Sequence, residues 1–233
     1  MADSCWKLWR DDSRDPSLNM AVDELLLNRS GDIGAPLLRI YGWDRPAVSI
    51  GFVQAYEAAP AQGYTVVRRP TGGGVVFHDH DLTYTVVVPA GHAICGLDRT
   101  ESYRVFHDAV QAALRHFGVN TDLAQAEIPK HVDRAFMQCF TTPTRYDVMG
   151  DGRKFAGAAQ RRTREGILHQ GSIDLDASGN DGRLLADALV GAFRQSFAIE
   201  FEEYRPDGEF MAAAGALAAG KYATENWNIH KTV

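Results

Sequence analysis

Cysteine is scarce in this chain: three residues in 233, at positions 5, 95 and 139, with no CxxC and no Cys/His grouping. Three widely spaced thiols exclude a disulfide framework and a zinc finger. Positive charge is also short. Lys and Arg number 24 against 30 Asp and Glu, a formal net charge of −6, which argues against a protein built to coat nucleic acid. Long apolar runs are missing too, and the Ala/Gly-rich stretch 210–220 is too short to span a bilayer. The first ten residues carry charge and no apolar h-region, so no signal peptide is expected. There is no internal repeat, low-complexity tract or linker. What remains is 45% hydrophobic and 23% charged, ordinary for a packed core. At roughly 150 residues per domain, the length suits one domain with or without a small appendage. The expectation is a cytoplasmic monomer, a single domain over 1–233 with no accessory domain and neither nucleic acid nor membrane as partner.

The periodicity predicts an α+β arrangement. Asp15-Pro16-Ser17 opens a helix, with a side-chain acceptor at the cap and proline at the first helical position. Leu18, Ala21, Val22, Leu25 and Leu26 follow at helical spacing, and Gly31 is the expected end. Strand-like runs are predicted at 38–41, 47–50, 64–68, 75–77 and 82–88. Residues 100–118 form the clearest amphipathic helix, with Tyr103, Phe106, Val110, Ala113, Leu114 and Phe117 on one face. A hairpin follows, 145–149 and 153–160 about Gly150-Asp151-Gly152, then a strand over 167–175. Helices at 182–196 and 208–220 close the chain.

Two segments concentrate chemistry. The first is Arg68-Arg-Pro-Thr-Gly-Gly-Gly-Val-Val-Phe-His-Asp-His-Asp81. Gly72, Gly73 and Gly74 allow a backbone to approach a ligand and expose N–H groups, although a tight turn between strands explains them as well. No Lys-Ser/Thr follows, so the loop is not a P-loop. His78 and His80 would share a strand face, which supplies two metal ligands and no third, so no metal is expected there. The second segment holds Cys139, Lys154 and the strand Leu168-His-Gln-Gly-Ser172. Residues 145–164 carry six basic side chains against two acidic, a field that would favour the thiolate of a nearby cysteine. An inert cysteine and a solvated charged hairpin are the bland alternatives. Lys154, flanked by Phe155 and Ala156, is expected to be partly covered and so able to stabilise an oxyanion.

Taken together these stretches resemble the superfamily of lipoate-protein ligases, lipoyl/octanoyl transferases and biotin ligases. The glycine-rich run 68–79 is similar to its signature, Gly152-Arg-Lys-Phe-Ala-Gly-Ala-Ala-Gln160 to its lysine motif, and 168–172 to the strand that follows. Residues 19–24 and 40–43 resemble its opening helix and first strand, and Lys221-Tyr-Ala-Thr-Glu-Asn-Trp-Asn228 the branch that transfers octanoyl groups. Cys139-Phe-Thr-Thr-Pro-Thr-Arg-Tyr146 is similar to the nucleophile motif of the LipM-type octanoyltransferase branch, whereas the unbroken glycine run is closer to ligase style.

The resemblance implies the biotin/lipoyl ligase fold, a mixed, mostly antiparallel sheet flanked by helices. It implies transfer of octanoyl from acyl carrier protein through a Cys139 thioester to a lysine of a lipoyl-accepting domain such as the glycine cleavage H protein, with no cofactor. Lys154 would stabilise the oxyanion. Arg68, Arg69, Thr71, Gly72, Gly73, Gly74, His78, Gly157, Ala158, His169 and Gly171 would bind substrate, and the basic 145–164 segment with Arg68 and Arg69 would offer an acidic carrier a landing surface. Three alternatives stand beside this: an ATP- and Mg-dependent lipoate-protein ligase, a lipoyl amidotransferase, and a non-catalytic homologue that binds lipoyl domains.

Overall fold

The computed structural model describes residues 4–59, 62–125, 144–179 and 181–232. In chain order the elements are β1 (Cys5–Arg14), α1 (Pro16–Asn28), α2 (Ser30–Ile33), β2 (Leu37–Trp43), β3 (Ala47–Ile50), β4 (Thr65–Arg68), β5 (Val76–His78), β6 (Asp81–Pro89), α3 (Arg99–Arg115), β7 (Asp122–Leu123) and β8 (Val148–Gly150). There follow β9 (Arg153–Arg162), β10 (Gly166–Asp174), α4 (Leu175–Ser178), α5 (Gly182–Phe197), β11 (Glu200–Glu203), α6 (Gly208–Leu217) and α7 (Glu225–Asn228).

An eight-stranded sheet runs in the order β11-β1-β2-β6-β10-β9-β8-β7. Only β1 with β11 and β1 with β2 are parallel; the other neighbours are antiparallel. The sheet is therefore mixed and mostly antiparallel. A second sheet of three strands, β4-β3-β5, sits apart from it. Side chains alternate across the large sheet and are buried on both faces. Leu38, Ile40, Tyr84, Val86 and Ile167 pack with Phe106, Val110 and Leu114 of α3 and Leu189 and Phe193 of α5. Leu37, Val87 and Leu168 pack on the opposite side with Val22, Leu26 and Leu27 of α1 and Phe210 and Ala214 of α6.

Asp15 caps α1 as its sequence implies, accepting from the N–H groups of Ser17 and Leu18. That helix stops at Asn28, before the expected Gly31, which lies inside α2; the left-handed residue is Gly34, at φ +71°. The first strand was not predicted. Asp11 and the basic residues around it mask its apolar alternation, yet Asp11 is almost wholly covered, neutralised by Arg14 and Arg39. Burial alone would raise its pKa, but those two guanidinium groups hold it below the usual carboxylate range. Of the run 145–149 only Val148 and Met149 are strand, because Tyr146 turns the chain at φ +69°. Among the described residues, no helix is long and apolar enough to cross a membrane.

Candidate functional site

A cleft of about 390 Å³ of empty space, its open mouth included, lies between the large sheet, α1 and the three-stranded sheet. Its floor is a register row. Gly157 of β9 pairs with Ser172 of β10, Ser172 with Thr83 of β6, and Thr83 with Tyr41 of β2. Directly paired residues face the same way, so these four positions share one face and cross four strands. Met20 of α1 and Val76 and His78 of β5 contribute walls.

At the β9 end stands Lys154. Its Nζ lies 2.7 Å from Asp147 Oδ2, and both side chains are buried. The ammonium occupies the space a side chain at position 157 would take: a Cβ there would meet Lys154 Cε and Nζ at 2.2 Å. Asp147 is itself fixed by Thr144, which donates its N–H (2.6 Å) and hydroxyl (2.9 Å) to the same carboxylate oxygen. Behind it, buried His107 donates Nδ1–H to the Tyr146 carbonyl. Burial holds His107 below the usual imidazole pKa, so it is neutral. Sequence reasoning placed Lys154 here but gave Asp147 no role. The hairpin turn at 150–152 was the available signal, since it brings β8 back beside β9.

At the β2 end stands Trp43. Its ring stacks on His78, centroids 4.0 Å apart, and its Nε1–H donates to Thr83 Oγ1 at 2.8 Å. Asp81 Oδ2 accepts from His78 Nδ1 (2.9 Å), Thr83 (2.9 Å) and Ser172 (2.7 Å). With Nδ1 the donor, His78 Nε2 accepts from the Ser49 hydroxyl at 2.6 Å, and Ser49 Oγ in turn accepts from Arg69. These polar groups satisfy one another, so the end of the cleft presents no wanting donor to an apolar ligand.

The glycine loop is built from behind. Arg69 donates to the Ser49 carbonyl and to the carbonyls of Gly72 and Gly74. Gly73, at φ +87°, lines the cleft, and a side chain at Gly51 would collide with its carbonyl at 2.1 Å. Thr71 is buried and donates to Gln170 Oε1; Gln170 Nε2 donates to Asp23. Asp23 also accepts from Arg39, Tyr41 and Thr85, joining α1, three strands and the loop in one network.

Three expectations are corrected. Arg68 and Arg69 are buried, so neither is a landing surface. Arg68 donates to the carbonyls of Gly51, Phe52, Gln54 and Asn228 and holds loop and C-terminal segment together. His169 lies on the opposite face of the sheet among Phe106, Tyr103 and Tyr84, with burial holding it neutral, and does not touch the cleft. His78 and His80 do not share a site: His80 is exposed and paired with Asp176. No group of three potential metal ligands exists among the described residues. Arg69, Gly73, His78, Gly157, Ala158 and Gly171 do line the cleft, whereas the carbonyls of Gly72 and Gly74 face Arg69. Cys139 lies outside the described residues.

The family profile described as "Lipoyl protein ligase A/B catalytic domain" matches residues 15–197. An octanoyltransferase LipM of Kyrpidia tusciae is 39% identical over 73% of this chain and 66% of its own length. An octanoyltransferase LipM of Geobacillus kaustophilus is 31% identical over 99% of this chain and 100% of its own. A solved protein of T. acidophilum, described as a lipoate protein ligase with bound lipoic acid, superposes with a TM-score of 0.81 over 99% of both chains at 24% identity, a likeness of fold.

Proposed function

The chain belongs to the family of lipoyl protein ligase A/B catalytic domains, and we propose that it is an octanoyltransferase moving an octanoyl group from acyl carrier protein to a lysine of a lipoyl-accepting domain, such as the glycine cleavage H protein. Relatives that cover essentially the whole chain carry that activity in their names. The structural observation that carries the reading is a buried ammonium, Lys154, packed against Gly157, which lines the cleft. A carbonyl entering there meets a fixed positive charge whose counter-ion is already in place, the arrangement that stabilises a developing oxyanion.

Cys139 is the nucleophile in this reading, on the strength of its motif. Its thiolate attacks the donor thioester carbonyl, Lys154 steadies the negative oxygen, and the carrier thiolate leaves and takes a proton. The acceptor lysine, as free amine, then attacks the acyl-cysteine; the amide forms, the amine loses its proton and the Cys139 thiolate is released. Exchange between thioesters is close to isoenergetic, and the amide is the more stable product, so no nucleotide is needed. With Arg68 and Arg69 buried, a carrier would dock instead on exposed Arg145, Arg153 or Arg164.

Intact mass spectrometry after mixing the protein with octanoyl-acyl carrier protein, without ATP, tests this. An octanoyl adduct that hydroxylamine removes and Cys139→Ser lacks is the expected result. No adduct, but acyl-adenylate once lipoate, ATP and magnesium are supplied, would replace the transferase by the ligase.

A further inference from the structure

We propose that α3 positions Lys154 for its task through His107, a buried residue outside the cleft lining that holds the turn carrying Asp147. The proposal rests on the acyl-transfer reading for what Lys154 does, and on geometry alone for how it is held. His107 lies on the buried face of α3, beside Phe106 and Val110 of the apolar core, with the rings of Tyr103 and His169 edge-on to its own. Its Nδ1–H donates to the Tyr146 carbonyl, while its Nε2 is buried with no hydrogen-bond partner among the described residues. A leucine would fill that place without leaving a buried acceptor unmatched. A histidine there is unfavourable unless the bond from Nδ1 matters.

That bond fixes a turn. Tyr146 is left-handed, at φ +69°, an uncommon and strained state for a residue with a large side chain. Its N–H donates to the Ala124 carbonyl, its carbonyl accepts from His107, and its hydroxyl donates to Glu101 Oε1 at 3.2 Å. His107 and Glu101 both belong to α3. Asp147 comes next in the chain. Its N–H donates to the Thr144 carbonyl, and Thr144 donates its N–H and hydroxyl to Asp147 Oδ2, so the turn moves as a unit. The same Oδ2 faces the Lys154 ammonium. Where α3 keeps Tyr146 therefore decides where that carboxylate points, and the ammonium follows it. Burial keeps His107 neutral, so it anchors the turn without placing a second positive charge behind the pair. His107 is thus a positioning residue, acting through Asp147 and Lys154 and not on the substrate.

The test reads the Lys154 amine and the transfer separately. Competitive labelling with acetic anhydride, followed by peptide mass spectrometry, compares Lys154 with exposed Lys231 in the same sample. Steady-state transfer is measured with octanoyl-acyl carrier protein as the varied donor. His107→Leu should raise the relative labelling of Lys154 about threefold, because the ion pair opens more often. It should lower kcat about tenfold with KM within about twofold, because misplacement of the amine is felt in turnover. His107→Asn returns an N–H donor to the place of Nδ1 and should restore most of both. Val110→Ala, one turn along the same buried face, controls for lost stability: at an equal drop in melting temperature it should move neither. A His107→Leu protein that matches Val110→Ala in both readouts, or an Asn variant that restores nothing, would overturn the proposal. If His107→Leu does not fold, Tyr146→Phe, which lacks the hydroxyl that reaches Glu101, decides: unchanged Lys154 labelling in it overturns the proposal equally. The expected labelling pattern in a protein that transfers no acyl group leaves the positioning role standing and removes the transferase reading instead.

Discussion

Lys154 and Asp147 form a buried ion pair, 2.7 Å from nitrogen to oxygen, in a space that exists because residue 157 has no side chain. Removing one partner of such a pair costs about 3–5 kcal/mol, because the other charge stays buried and unmatched. Asp147→Asn should therefore lower both the urea midpoint and kcat/KM. Gly157→Ala tests geometry rather than charge: it displaces the amine while leaving both charges, and should lower kcat by about a hundredfold with a smaller change in KM. Normal turnover in Gly157→Ala would show that the amine need not stand where the structure puts it.

Stability should fall in mild acid. His107 and His169 are buried, and burial holds both below the usual imidazole pKa of about 6.5, so they are neutral. Below that value the unfolded chain binds protons that the folded chain refuses, so stability is full above about pH 6.5 and declines as pH falls. The slope is at most about 1.4 kcal/mol per pH unit for each histidine. Urea melts between pH 7.5 and 5 should show it, and His169→Phe should flatten it. Equal slopes in both proteins would refute the assignment.

Arg68 supports the glycine loop without touching the cleft. Its guanidinium donates to the carbonyls of Gly51, Phe52, Gln54 and Asn228, and Asn228 Oδ1 accepts its backbone N–H. Arg68→Met should leave those buried acceptors unpaired and destabilise the fold by about 3 kcal/mol or more. Arg68→Lys cannot reproduce the fork and should rescue little. A thermal shift within a degree or two of wild type for Arg68→Met would show the clamp to be ornamental.

Asp23 accepts four hydrogen bonds, from Arg39, Tyr41, Thr85 and Gln170, in complete burial. Asp23→Asn strips Arg39 of a buried counter-charge, and Asp11 remains as its other partner. The loss should be about 3 kcal/mol. Gln170→Leu should spare most of the stability, yet free Thr71 and with it the glycine loop. It should appear as a raised KM at nearly unchanged melting temperature, and the reverse pattern would argue against the link.

The local patterns in the sequence were enough for the helices α1, α3 and α5, for most strands, and for the burial of Lys154. Each of those follows from nearest-neighbour physics: a cap, a period, a glycine where backbone must come close. The sequence could not say that Arg68 and Arg69, adjacent and alike, are both turned inward to tie carbonyls. Burying a guanidinium becomes acceptable only when distant carbonyl groups converge on it, and four of those it meets lie on the 51–54 turn and at Asn228. Likewise His169, one residue from Gln170, falls on the far face of β10 because strand side chains alternate, and only the sheet's placement says which face is the cleft. The row that joins Gly157 to Tyr41 is a matter of register among β9, β10, β6 and β2, residues more than a hundred positions apart in the chain. Residue type and spacing thus chose the groups and the local elements; the pairing of strands decided which groups meet, because hydrogen-bond register is a long-range property that no short window of sequence contains.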